Sequence, residues 1–176
     1  WRYIKMNIDT TDKALEEAFN FLVTEIDPKA APYSDMFNRK LVENEWTTAL
    51  DADKYYTYLR SVQNQIRIFR DENIPLMTDL QQLQQKYGIL TGGMFIELNG
   101  QKLTMQEGSK QLKDGDRSVR EKAYRLLQSK RGEAVAELNE LFSKLIQLRN
   151  RVGRNAGFAN FRDYKFAALD RFDYSV

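Results

Sequence analysis

With 176 residues, 42% of them hydrophobic and none of them cysteine or histidine, the chain can bury a sizeable core while excluding disulfides, thiolate nucleophiles and imidazole chemistry. Its net charge is +2 although 30% of its residues are charged, and the signs are mixed along the chain, which describes a solvated helical surface and not a nucleic-acid footprint. No apolar run approaches the roughly 18 residues of a membrane span, and the opening WRYIKMNIDTTD does not read as a signal peptide.

Period 3.6 dominates the first half. Leu15, Ala18, Phe19, Leu22 and Ile26 form one apolar stripe, with Asp12, Glu16 and Glu17 near the positive end of the helix dipole. Asp27-Pro28 is expected to end that helix, because the proline ring disfavours helical geometry at the residue before it. A looser helix is expected from about Ser34 to Trp46. The next stripe, Tyr55, Leu59, Val62, Ile66 and Phe69, predicts a helix with Asp53 placed to cap it. Ile74-Pro75 opens a short helix with Leu76, Leu80, Leu83 and Tyr87 on one face, and Gly88 is read as its stop.

A different periodicity comes next. Met94 to Leu98 and Gln101 to Met105 flank Asn99-Gly100, the strongest short hairpin signal. A two-residue turn pairs Leu98 with Gln101, Glu97 with Lys102, Ile96 with Leu103, Phe95 with Thr104 and Met94 with Met105. That register places the apolar residues Met94, Ile96, Leu103 and Met105 on one face, and sets Glu97 opposite Lys102 as a cross-strand ion pair.

Helices then resume. Thr104 with Glu107, and Ser118 with Glu121, both fit the capping box. The second opens a long helical stretch with a kink expected near Gly132, whose later part carries Leu138, Leu141, Phe142, Leu145, Leu148 and Val152 on one side. Gly157 ends it, and Asn160 with Asp163 is placed to cap a final helix packing through Phe161, Tyr164, Ala168 and Leu169. The expected fold is mainly α, a helical region over residues 1–176 with one small β-hairpin around Asn99-Gly100.

Candidate chemistry is thin. Without His or Cys, zinc has no ligand set, and no acidic spacing resembles a calcium loop. Ser109-Lys110 and Ser143-Lys144 are sequence neighbours that do not face each other on a helix. Gly92-Gly93 precedes a strand and lacks the context of a phosphate cradle. Arg149, Arg151, Arg154, Arg162 and Arg171 interleave with Phe158, Phe161 and Tyr164, a pattern that also suits RNA. Asp163, Asp170 and Asp173 among them favour arginine–carboxylate pairs stapling the final helix to the long one.

The tail RNRVGRNAGFANFRDYKFAALDRFDYSV, the hairpin, and the run from Leu112-Lys113-Asp114 through Arg120-Glu121-Lys122-Ala123-Tyr124 resemble oligoendopeptidase F and its thimet-type relatives. The likeness lies in Tyr87 to Val176, whereas Trp1 to Lys86 shares only helical texture. It implies the N-terminal, non-catalytic part of a cytoplasmic zinc metallopeptidase that hydrolyses short peptides in a channel of helices. In the family, zinc is held by an H-E-x-x-H helix and a further glutamate, none of which maps onto this chain. The chain itself is therefore expected to bind no zinc, to show no activity alone, and to have the missing catalytic half as partner, with neither nucleic acid nor membrane. Arg162, Asp163, Tyr164 and Arg171 match the family signature, with bracing as the expected role and channel lining as the alternative. A free-standing helical interaction module is the alternative to the whole reading. Val176 is expected to lie inside a larger fold, leaving Phe166, Phe172 and Tyr174 available to pack against a downstream half.

Overall fold

The structure is a computed structural model that describes residues 1–175; Val176 lies outside them. The chain is mainly α with one antiparallel hairpin among the described residues. It divides into two compact units, Trp1–Glu16 with Leu83–Lys144, and Glu17–Gln82 with Leu145–Val176.

The first unit contains α1 (Arg2–Ile8), the hairpin strands β1 (Phe95–Leu98) and β2 (Gln101–Thr104), α6 (Met105–Lys110) and α7 (Arg117–Glu133). The strands pair Phe95 with Thr104, Ile96 with Leu103, Glu97 with Lys102 and Leu98 with Gln101, the register expected from sequence. Asn99 and Gly100 have φ of 53° and 77°, the two left-handed residues of a type I′ turn, where glycine avoids the steric cost. Met94, Ile96 and Leu98 point into a core that includes Met6, Ala123, Leu127 and Leu141. Three details differ. Met105 opens α6 instead of extending the strand, because Thr104 caps that helix in a complete capping box with Glu107. The Lys102 ammonium lies 4.4 Å from the Phe95 ring centroid, a diagonal cation–π contact in place of the expected pair with Glu97. Asp116, and not Ser118, caps α7, accepting from the Ser118 amide at 2.8 Å, which leaves Glu121 to pair with Arg125.

The expected kink near Gly132 is a break at Ala134, after which α8 runs over Val135–Asn155. Leu141, Leu145 and Val152 of α8 are buried, but Phe142 is exposed. Helix α5 (Asn73–Gly92) passes straight through Gly88. A glycine stops a helix only where the chain turns left-handed, and here continuing half-buries Ile89 and Leu90 while the Thr91 hydroxyl donates to Tyr87 O at 2.8 Å. On that helix Leu76 and Leu80 are buried as expected, but Tyr87 is exposed and Gln85 is buried in its place.

The second unit holds the largest departure. Helix α2 (Lys13–Phe21) does not stop at Asp27-Pro28; it passes through a π turn, Leu22–Ile26, into α3 (Asp27–Glu43). The π turn resets the ladder, so the Asp27 amide bonds to Leu22 O and Pro28 falls in the first turn of α3, where its missing N–H has no obligatory partner. The extra residue also rotates the stripe, burying Val23 and exposing Ile26. Helix α3 ends at Glu43, and Asn44 caps a short 3₁₀ turn over Glu45–Ala49. Helix α4 (Ala52–Ile68) is capped by Asp51, which accepts from the amides of Asp53 and Lys54, so Asp53 is not the cap. The core of this unit comprises Phe19, Val23, Val62, Leu76, Leu80, Val152 and Ala156, joined by Tyr164 and Ala167 of α9 (Phe161–Ala168).

Candidate functional site

All four signature residues lie on or just beyond α9, and the sequence around them explains how that helix is seated. Gly157 ends α8 at φ 86°. The chain returns so closely that a Cβ on Gly153 would stand 3.0 Å from Asn160 O, a contact only glycine leaves room for. Asn160 then caps α9, its Oδ1 accepting from the Asp163 backbone amide at 3.0 Å while its side-chain Nδ2 donates to Asp163 Oδ2 at 2.9 Å. Asp163 is therefore half of a reciprocal cap and also complements the helix dipole. Arg162 donates to Asp163 Oδ1 at 3.0 Å, but its side chain is 71% exposed.

Tyr164 is 5% exposed. Its ring meets Phe158 edge-on at 5.7 Å and Phe161 at the same centroid distance, and burial pushes its phenol pKa up. Arg67 and Arg149 reach this cluster through rings and not carboxylates. Arg67 lies 5.5 Å from the Phe158 centroid and Arg149 of α8 lies 5.8 Å from that of Phe161. The expected arginine–carboxylate staple between α8 and α9 is thus replaced by a cation–π contact. Its acidic members are used elsewhere: Asp163 inside α9, Asp173 with Arg60 at 3.2 Å, and Asp170 with α4.

That last link was not legible in the sequence. Asp170 adopts φ 52° after α9 and accepts from Ser61 Oγ at 2.5 Å and Asn64 Nδ2 at 2.8 Å, while Asn64 also donates to Ala167 O at 2.7 Å. A second buried amide, Asn73, donates to Val152 O at 3.1 Å and accepts from Asn155 at 2.8 Å. A lone asparagine in a helix ordinarily faces water, so sequence offers little to single these out; the structure makes them ties onto carbonyls in the last turns of α8 and α9.

Beyond the helix, Arg171 stands over Phe166 at 5.9 Å, Phe166 meets Tyr174 edge-on at 5.2 Å, and Arg60 covers Phe172 at 4.1 Å. Phe166 and Phe172 are half-buried by these contacts, whereas Tyr174 is 61% exposed. Leu169, expected to pack, is exposed, and Ala167 packs in its stead.

An open cleft of about 470 Å³ adjoins this cluster, with Ile68, Phe69, Ile74 and Met77 as its apolar wall and Arg70 and Tyr164 among its other lining residues. Of the signature residues, Tyr164 lines it. As for metal, the chain has no imidazole or thiolate, and among the described residues no three carboxylates converge, so its donor set does not fit zinc.

Residues 1–69 match the family model of the peptidase M3 N-terminal domain. The fold is similar, over 99% of the chain, to a structure assigned as oligoendopeptidase F from Bacillus anthracis strain Ames, with a TM-score of 0.92 and 22% identity. A second oligoendopeptidase F structure gives 0.92 at 23% identity, and PZ peptidase A with an inhibitor gives 0.91 at 20%, each again over 99% of the chain. The chain spans only 32%, 31% and 31% of those three chains. No curated protein matches in sequence. In sequence the likeness is thus to the peptidase M3 N-terminal domain through the first 69 residues, and in fold it is to oligoendopeptidase F along the chain.

Proposed function

We propose that residues 1–176 act as one N-terminal helical region of a cytoplasmic zinc oligopeptidase, supplying scaffold to a catalytic part that lies outside them. The observation that carries this reading is the match of residues 1–69 to the peptidase M3 N-terminal domain. The parent enzyme hydrolyses short peptides, and its zinc is held by residues beyond this chain, whose own donors do not fit the metal. Within the region, Asp163 and Tyr164 brace α9 through the Asn160 cap and the Phe158–Phe161 cluster, while Arg162 pairs with Asp163 and Arg171 covers Phe166. The apolar wall of the neighbouring cleft, formed by Ile68, Phe69, Ile74 and Met77, offers a stretch of substrate-channel wall, with Tyr164 buried behind it as a brace.

The test is a quenched-fluorescent peptide assay on the complete natural protein and on residues 1–176 alone, each with and without chelator. The complete protein should cleave the peptide and lose that activity with chelator, while the isolated region should neither cleave it nor retain zinc after dialysis. Chelator-sensitive cleavage by the isolated region, or a complete protein inactive on every short peptide, would contradict the proposal.

A further inference from the structure

The hairpin turn joins two residues with a chemistry of their own. In an Asn-Gly sequence the backbone nitrogen of the glycine is the least hindered nucleophile toward the asparagine carboxamide. Its attack on Asn99 Cγ would form a new C–N bond as the nitrogen loses its proton. The bond to the side-chain nitrogen would break, ammonia would leave, and a five-membered succinimide would remain. Water would then open either carbonyl, giving aspartate or isoaspartate at position 99. Both turn residues are exposed, so water is at hand.

The backbone stands in the way. Asn99 sits at φ 53° in the left-handed well, in which ψ also takes small positive values. There the Gly100 nitrogen lies nearly opposite Cβ, turned away from the carboxamide it would have to attack. To react, Asn99 must rotate out of the left-handed well, which breaks the Leu98–Gln101 pair beside the turn. Two further contacts resist that rotation. Lys122 of α7 donates to Asn99 Oδ1 at 3.0 Å, tethering the carboxamide itself. Leu98 and Ile96, one and three residues before Asn99, are buried in the core beneath α7.

We propose that Asn99 is a latent deamidation site gated by opening of the hairpin, with Lys122 as the latch. The two products have different consequences. Aspartate keeps the two-residue turn and gives Lys122 a carboxylate in place of an amide oxygen. Isoaspartate adds a methylene to the main chain, which the type I′ turn does not accommodate, and so holds the hairpin open. Each modified molecule thereby records that its hairpin opened.

The experiment incubates the full chain at mildly alkaline pH, in buffer and in urea, alongside the variants Lys122→Met and Lys122→Gln in buffer. Peptide mapping follows the mass gain of about 1 Da at position 99 and separates aspartate from isoaspartate. The folded protein should deamidate at least about tenfold more slowly than the urea-unfolded chain, as local opening must precede reaction. Either Lys122 variant that retains the native circular dichroism should react about threefold faster than the parent, with amide exchange of Leu103 accelerated in step. Equal rates in buffer and urea would overturn the gate. Folded Lys122 variants with unchanged rates would overturn the latch. A variant that does not fold reacts as the urea sample does and is replaced by the other.

Discussion

The hairpin at residues 94–105 and the helical run at residues 13–43 differ in how far local rules decide the outcome. In the hairpin, the turn chemistry of Asn99-Gly100 and the period-2 alternation of Met94, Ile96 and Leu98 require the same register, and the structure adopts it. In the helical run, the local rules conflict. Pro28 calls for a stop, while the stripe from Leu15 to Ile26 carries the helix right up to it, and a π turn lets the helix continue by inserting one residue, which buries Val23 and exposes Ile26. Agreement between independent local signals marks segments that specify themselves, and disagreement marks segments decided by packing.

The core under the hairpin is where this contrast is most exposed to failure. Leu127→Ala removes a side chain that is 1% exposed, and urea melts should show a loss of about 3 kcal/mol. A cost below about 1 kcal/mol would mean that the hairpin does not rest on α7 as described. Gly100→Ala comes next. It places a Cβ at φ 77° and should cost roughly 1 kcal/mol or more, whereas the same change at an ordinary φ is neutral or favourable.

Caps probe the same contrast at a smaller scale. Asp51→Ala removes the acceptor for the amides of Asp53 and Lys54 and should cost about 1 kcal/mol, while Asp53→Ala should stay within about 0.5 kcal/mol. The reverse order would restore the cap assignment read from sequence. The smallest effect concerns acid. The Thr104 backbone amide and then its hydroxyl hold the Glu107 carboxyl below the usual glutamate range. A carboxylate lowered by folding stabilises the fold above its unfolded pKa and loses that contribution as pH falls through the folded one. Thermal melts of Glu107→Gln should therefore show a shallower decline across the acid side of the carboxylate range than the parent does.

Legibility in the tail obeys the same logic. The Asn160–Asp163 cap and the Gly157 stop were readable because each is a local pattern with one geometric solution. The Asn64–Asp170 and Asn73–Val152 ties were not, because they join residues about 80 to 110 positions apart and nothing in a short window marks an asparagine as buried. The arginines misled for a related reason. Composition suggested carboxylate partners, but the nearest faces across α8 and α9 are aromatic, so Arg149 meets Phe161. The family likeness also divides unevenly. The motifs that resemble oligoendopeptidase F lie after Tyr87, while the family model matches residues 1–69, where the sequence offered only helical texture.

If the signature residues brace this region and do not handle substrate, Tyr164→Ala should separate stability from binding. The variant is made in the complete protein, with thermal stability and the KM for a short peptide measured on the same preparation. Loss of the buried ring against Phe158 and Phe161 should lower stability by about 3 kcal/mol and leave KM unchanged. A KM raised several-fold with thermal stability intact would place Tyr164 in the substrate channel and contradict the bracing role.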